Sequence, residues 1–154
     1  METEQIVFAG LAAEPIALAT ALAAVDAPDC GAVVGFSGVV RDHDGGKSVT
    51  ALSYSSHPSA AQVFAEVVQQ IATEFPGTRL WAQHRTGSLQ IGDPALVCAV
   101  AAAHRGQAFA ACSALVDRVK AQVPIWKEQF FRDGSVKWVG AQESADSAGT
   151  APRQ

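Results

Sequence analysis

Residues 99–127 read AVAAAHRGQAFAACSALVDRVKAQVPIWK, and in this stretch an apolar run meets a helical repeat at a cationic junction. After the junction, apolar side chains recur at spacings of three and four, which predicts an amphipathic helix with one buried stripe. The stripe comprises Ala108, Phe109, Cys112, Leu115, Val116, Val119 and Val123. Pro124 disfavours helical backbone at the residue before it, so the helix is predicted to end near Val123.

The junction His104-Arg105-Gly106 predicts an anion site. A strand that passes into a helix leaves backbone N–H groups unpaired at the first turn, and here they lie beside two side chains that can carry positive charge. This arrangement suits a phosphate. The motif is short, and a solvated corner between a strand and a helix is the alternative interpretation.

Two lysines flank the predicted end of the helix. Lys120 falls in the last turn, where a cation also offsets the negative end of the helix dipole. Lys127 falls just beyond Pro124. One helix therefore separates two cationic sites, which other parts of the chain could bring together by folding around it.

Length, composition and charge indicate one folded domain. The chain has 154 residues, of which 49% are hydrophobic and 17% charged, and this excludes a disordered chain. A net charge of −4 argues against a nucleic-acid-binding protein. Residues 1–78 hold two basic and nine acidic residues, whereas residues 79–137 hold eight basic and four acidic ones. We therefore expect an anion pocket built mostly from the second half and joined by Arg41.

The three cysteines, at positions 30, 98 and 112, form no CxxC pair. Cys98 and Cys112 fall among apolar residues and are predicted to be small core residues. The sequence shows no signal peptide and no apolar span long enough for a membrane, so a cytoplasmic protein is expected.

The order of elements predicts an α+β domain with a mixed, largely antiparallel sheet and three main helices. Strands are predicted at residues 5–9, 31–40, 48–55, 78–83, 95–103 and 135–140, and helices after Pro15, Ser59 and His104. The second and third strands are expected to pair as a hairpin. Residues 1–140 are expected to form the single domain, and residues 141–154 a flexible tail.

Further candidate ligands stand at predicted strand ends. Arg41 follows the strand at residues 31–40, and the end of a buried strand is expected to hold it firmly. His84 and Arg85 follow the strand at residues 78–83, either as anion ligands or as hydrogen-bonded strand-end residues. Residues 42–44 (DHD) are too poor and too local a ligand set for a metal ion, so no metal site is predicted.

Four motifs occur in an order that is specific when they are taken together. They are F-S-G-x-V-R at residues 36–41, H-R-x-G-x-L-x-x-G-D at 84–93, A-H-R at 103–105 and K-x-x-x-P-x-W-K at 120–127. With this set the chain resembles the large, catalytic subunit of molybdopterin synthase over residues 31–140. The resemblance implies a hammerhead-type α+β fold and a homodimer.

The resemblance also implies a reaction and a partner. Each end of the homodimer would take a small ubiquitin-like subunit, giving a heterotetramer. The C-terminal Gly-Gly tail of that subunit carries a thiocarboxylate, which would give sulfur to cyclic pyranopterin monophosphate. Two transfers would make the dithiolene of molybdopterin, a step of molybdenum cofactor biosynthesis. The reaction would need no metal or redox cofactor.

The motifs assign roles to individual residues by the same resemblance. Lys120 and Lys127 would be the catalytic lysines beside the thiocarboxylate. His104 and Arg105 would hold the phosphate of the substrate, helped by Arg41 of the same or the neighbouring subunit. Two aromatic residues, Phe36 and Trp126, would line the pocket.

One segment departs from the family pattern. Residues 53–58 (SYSSHP) lack the expected acidic residues, and His57 stands where the family usually has tyrosine, which affects dimer or partner contacts. The alternative function is a non-catalytic module that binds a Gly-Gly-tailed carrier protein or a phosphorylated small molecule. The lysine pair argues against it, because binding alone does not need both amines.

Overall fold

The computed structural model describes residues 4–140, which form two β-sheets and three helices. The strands are β1 (Ile6–Ala12), β2 (Ala32–Val39), β3 (His43–Asp44), β4 (Lys47–Ser56), β5 (Arg79–Arg85), β6 (Gly87–Leu89), β7 (Pro94–Ala102), β8 (Ile125–Phe131) and β9 (Val136–Gly140). The helices are α1 (Leu18–Val25), α2 (Ala60–Glu74) and α3 (Arg105–Gln122). The predicted α+β class, with three helices and mostly antiparallel pairing, is confirmed. The tail predicted at residues 141–154 lies outside the described residues.

The first sheet has the order β1-β5-β7-β2 and is covered by helices on both faces. Strand alternation along β7 sends Leu96, Cys98 and Val100 into a core with α2 and α3, whereas Val97 and Ala99 pack in a second core with α1. Only the β1–β5 pair is parallel among the strands described. A strand buried on both faces explains the continuous apolar run that ends at the junction.

The second sheet is centred on β4, which pairs with β8 along most of its length and also with β3 and β6. Strand β9 pairs with β8 and forms one edge. The β3–β4 hairpin turns at Gly45 and Gly46, whose φ angles are +59° and +80°. Both angles lie in the left-handed region that two-residue hairpin turns require, and glycine adopts it without steric cost.

The hairpin predicted between residues 31–40 and 48–55 is wrong. Strand β2 pairs with β7 in the first sheet, and β4 pairs with β8 in the second. Proximity in sequence favoured the hairpin, but β2 gains more burial beside β7, where Val34 and Phe36 pack against the core under α2 and α3. Strand β8 was not predicted, because its inner face carries Lys127 and Gln129 and so lacks apolar alternation.

Helix α3 agrees with its predicted bounds. It begins at Arg105 with His104 as the N-cap and ends at Gln122. The predicted stripe is buried except for Phe109, which is 60% exposed, so its assignment to the core was wrong. Phe109 falls at the edge of the stripe, and the small Ala111 takes the inner position. Cys98 and Cys112 are buried as predicted, and burial raises the pKa of both thiols.

Candidate active site

A cavity of about 270 Å³ opens where the two sheets meet the C-terminal end of α3. Its polar lining consists of Arg41, His43, Tyr54, His84, Lys120, Lys127 and Gln129. A smaller cavity of about 60 Å³ shares Tyr54, His84, Lys120 and Lys127 with it. The combined site thus contains three of the residues predicted from the sequence: Arg41, Lys120 and Lys127.

Lys127 faces the cavity because of strand alternation in β8. Ile125, Lys127 and Gln129 point inward, and Lys127 pairs across the sheet with Tyr54 of β4. Burial lowers the pKa of Lys127. The charge of Asp44 opposes this shift, and the nearby charges of Lys120 and Arg41 add to it. Lys127 therefore loses its proton at a lower pH than a free lysine does.

Lys120 and Arg41 reach the same cavity from more exposed positions. Lys120 stands in the last turn of α3, where Val119 beside it is buried and anchors the turn. The expectation that Arg41 is held firmly was wrong. Its side chain is 66% exposed, and its one ion pair in the described residues joins Nη2 to Oδ1 of Asp44 at 3.7 Å. Strand β2 is half-exposed near its end, so burial does not fix the arginine.

His84 and Arg85 take the second of their two predicted roles. Nδ1 of His84 lies 2.8 Å from the backbone oxygen of Arg85, so it donates a hydrogen bond to that carbonyl. Burial, together with the charge of Lys120, lowers the pKa of His84 to about 4 despite this bond. The ring is uncharged at neutral pH and is no anion ligand. Arg85 pairs with Asp93 at 3.4 Å.

Two further polar groups line the cavity, and the sequence had indicated neither of them. Burial raises the pKa of Tyr54 to about 12, so its hydroxyl stays protonated. Gln129 is 4% exposed, and its Oε1 has no hydrogen-bond partner among residues 4–140. Alternation from Lys127 could have indicated Gln129, but only with β8 already known to be a strand.

The remaining predicted residues lie elsewhere in the single chain. His104 and Arg105 are exposed at the opposite end of α3, and neither side chain makes a hydrogen bond or ion pair within the described residues. Lys120 lies 15 residues after Arg105 on the same helix, and at 1.5 Å per residue the two positions are about 22 Å apart along its axis. Phe36 packs against the main core. Trp126 points to the outer face of β8 and is 39% exposed. Neither aromatic side chain lines the cavity of one chain.

The arrangement favours chemistry on an anionic substrate. Lys120, Lys127 and Arg41 supply three positive or titratable nitrogen groups, and no carboxylate stands among the residues that line the two cavities. An amine with a lowered pKa can exchange protons near neutral pH. The neutral groups of Tyr54 and His84 add directional hydrogen bonding without charge. In the part of the chain that the structure covers, no helix is both long and apolar enough to span a bilayer.

Comparisons with known proteins show the family to which the chain belongs. The model of the MoaE protein family matches residues 11–122. Molybdopterin synthase catalytic subunit 1 of Mycobacterium tuberculosis is 39% identical over 128 residues, covering 82% of this chain and 86% of that protein. The molybdopterin synthase catalytic subunit of a Nostoc species is 39% identical over 127 residues, covering 81% and 77%.

A solved structure shows the same architecture. The crystal structure of molybdopterin synthase from Staphylococcus aureus superposes with a TM-score of 0.80 at 34% identity, covering 90% of this chain and 99% of that one. The family match covers β2, β4, β5 and all of α3, and it ends before β8. The chain therefore belongs to the MoaE family of molybdopterin synthase catalytic subunits.

Proposed function

We propose that this chain transfers sulfur from the thiocarboxylated C-terminus of a small ubiquitin-like subunit to cyclic pyranopterin monophosphate, and that two transfers form the dithiolene of molybdopterin. The observation that carries the proposal is the single cavity in which Lys120, Lys127 and Arg41 meet. Membership of the MoaE family supports it, because the relatives named above are catalytic subunits of molybdopterin synthase.

The two lysines serve the acyl–sulfur bond of the carrier. In each transfer, the sulfur forms a bond to a carbon of the pterin substrate and displaces an oxygen substituent of that carbon. Water or the Lys120 amine adds to the acyl carbon, and the acyl–sulfur bond of the tail breaks. Lys120 either stabilises the oxyanion of the tetrahedral intermediate or takes the acyl group, and Lys127 donates the proton. The lowered pKa of Lys127 supports this role, because its ammonium group gives up a proton more readily than that of a free lysine.

The phosphate of the pterin is held by Arg41 together with His104 and Arg105. Helix α3 separates the last two from Lys120 by about 22 Å along its axis, so one chain cannot bring both ends to one small substrate. His104 and Arg105 therefore act on the cavity of a second copy, in a homodimer. Charge-assisted hydrogen bonds contribute about 1.5–3 kcal/mol each, which is enough for three residues to anchor a small substrate by its phosphate.

The carrier tail enters beside the smaller cavity. Val139 of β9 and Ile125 of β8 narrow this entrance next to the lysines, and a Gly-Gly tail suits it because glycine lets a backbone pass close to both walls. One small subunit at each end of the homodimer gives a heterotetramer. We place this assembly in the cytoplasm. Its chemistry requires no metal or redox cofactor.

A reconstitution tests the proposal. The purified chain is mixed with a thiocarboxylated small subunit and cyclic pyranopterin monophosphate, and the dithiolene product is sought by mass spectrometry. Product supports sulfur transfer. Tight binding of the carrier without product favours the non-catalytic binding module instead, and neither product nor carrier binding refutes both.

A further inference from the structure

His84 lies in the candidate active site without a role in the reaction proposed above. It stands on β5, is 9% exposed, and lines both cavities together with Lys120 and Lys127. Tyr54 packs against it edge-on, with ring centroids 4.9 Å apart. A polar ring that is held from two sides in a reaction cavity is oriented, and its free edge points to a defined place.

The hydrogen bonding of the ring fixes its tautomer. A carbonyl oxygen only accepts, so the 2.8 Å contact with the backbone of Arg85 places the hydrogen on Nδ1. In the neutral ring, Nε2 then carries a lone pair and no hydrogen. Within residues 4–140 the imidazole makes no other hydrogen bond. No acidic side chain lines either cavity to balance a charged imidazolium.

Lys120 is a hydrogen-bond donor that lines both cavities together with His84, and its positive charge adds to the lowering of the pKa of the imidazole. We propose that His84 is a positioning residue, whose neutral imidazole accepts a hydrogen bond at Nε2 from the Lys120 amine and so orients that amine in the occupied site. This inference rests on the proposed function, because it needs Lys120 to act on the carrier tail.

The physical advantage of a neutral acceptor is that it directs the amine without holding its proton strongly. A carboxylate in this place would form an ion pair with Lys120 and stabilise the ammonium form. A cation would repel it. An uncharged ring supplies direction alone, and a misplacement of about 1 Å at a reacting group can cost about a hundredfold in rate.

Two substitutions of His84 distinguish the contribution of Nε2 from that of Nδ1. In His84→Gln, a side-chain amide atom reaches the place of Nε2 and can accept from Lys120. In His84→Asn, the shorter amide can still bond the carbonyl of Arg85 but leaves the place of Nε2 empty. Gln70→Asn is the matched control, since Gln70 is exposed on α2 and lines neither cavity. All four proteins, including the unsubstituted chain, are assayed in the reconstituted complex with the thiocarboxylated small subunit.

We expect His84→Asn to lower kcat by about 30-fold, within the range that misplacement of a reacting group produces, while KM for the pterin changes little. His84→Gln should recover most of that loss, and Gln70→Asn should match the unsubstituted chain. A double-mutant cycle adds a readout that a structural role would not move. In a Lys120→Met background, His84→Asn should cause no further loss, because the residue it positions is gone.

Other results overturn the proposal. If His84→Asn leaves kcat unchanged, His84 does not position Lys120. The same conclusion follows if His84→Asn lowers kcat further in the Lys120→Met background. Equal losses in the Gln and Asn variants, with lowered stability in urea, would make His84 a structural residue. Nitrogen NMR of the ring supplies a test without activity, and a hydrogen on Nε2 or a charged ring at pH 7 contradicts the tautomer. An unsubstituted chain that forms no product refutes the proposed function itself, and the role of His84 with it.

Discussion

Replacing Lys127 by methionine tests the centre of the proposed mechanism. Methionine keeps most of the length and apolar volume of the side chain and removes only the amine. We expect the variant to fold and to bind the pterin, because Lys127 stands on a strand whose partners across the sheet are unchanged. We expect turnover to fall by about 10²- to 10⁴-fold, the usual contribution of a general acid or base. At 1.36 kcal/mol per tenfold change, this is a loss of roughly 3–5 kcal/mol of transition-state stabilisation.

Stability should change in the opposite direction. Burial lowers the pKa of Lys127 in the folded chain, so the folded state disfavours the charged amine. Between the pKa of Lys127 in the folded chain and the ordinary lysine pKa of 10.5, the unfolded state binds more protons than the folded state. Stability therefore rises with pH in that window. Below the window the full cost of the buried charge is present. Lys127→Met should thus be at least as stable as the unsubstituted chain at pH 7, and its advantage should shrink as the pH approaches 10.5.

The assay is single-turnover formation of the dithiolene with preformed thiocarboxylated small subunit, followed by mass spectrometry, with urea unfolding at pH 7 and at pH 10. Lys47→Met is the matched control, because Lys47 pairs with Asp133 at 3.0 Å and does not line the cavity. Turnover of Lys127→Met within threefold of the control would refute the role assigned to this amine. A variant much less stable than the control at pH 7 would refute the argument from burial.

Three other substitutions test the phosphate site and the fold. Arg105→Ala should weaken binding of the pterin by roughly 10- to 150-fold, the equivalent of one charge-assisted hydrogen bond, with an unchanged unfolding midpoint; calorimetric titration measures this, and unchanged affinity contradicts the phosphate role. Leu115→Ala should lower the free energy of unfolding by about 2–5 kcal/mol, because Leu115 is a fully buried residue of α3. Urea unfolding measures this change, and a loss below about 1 kcal/mol contradicts the packing. Gly46→Val should cost about 1–2 kcal/mol, because φ at this turn is +80°; the same urea experiment measures it, and an unchanged midpoint would contradict the turn.

The sequence predicted well those helices and strands whose ends carry residues that start or stop them. The bounds of α3 followed from the apolar stripe, the junction at His104 and the break at Pro124. The stripe did not predict the exposure of Phe109, because side chains at the edge of a stripe are buried or exposed according to what packs beside the helix. The helix predicted after Ser59 begins at Ala60, but the Ser59 hydroxyl bonds the ring of His57 at 2.9 Å and makes no cap bond to the helix.

Pairing between distant strands could not be predicted in this way. The partner of β2 is β7, about 60 residues away, and the choice depends on the core that α2 and α3 build beneath both strands. The cavity depends on the same long-range pairing, because it joins the end of β2, the end of α3 and the inner face of β8. The sequence could name Arg41, Lys120 and Lys127. It could not show that His84 is neutral, since that follows from its burial.

Because side chains alternate along β8, the number of residues between Pro124 and Lys127 decides whether the Lys127 amine faces the cavity. Trp126 and Lys127 are neighbours on opposite faces of one strand, and the register with β4 and β9 holds each on its side. Any residue of the outer face can be exchanged without disturbing the inner one. A single residue inserted or deleted between Pro124 and Lys127 would instead turn the amine to the outside and the indole to the inside. In descendants of this chain, we therefore expect the outer residues of this segment to vary, whereas the number of residues before Lys127 stays constant.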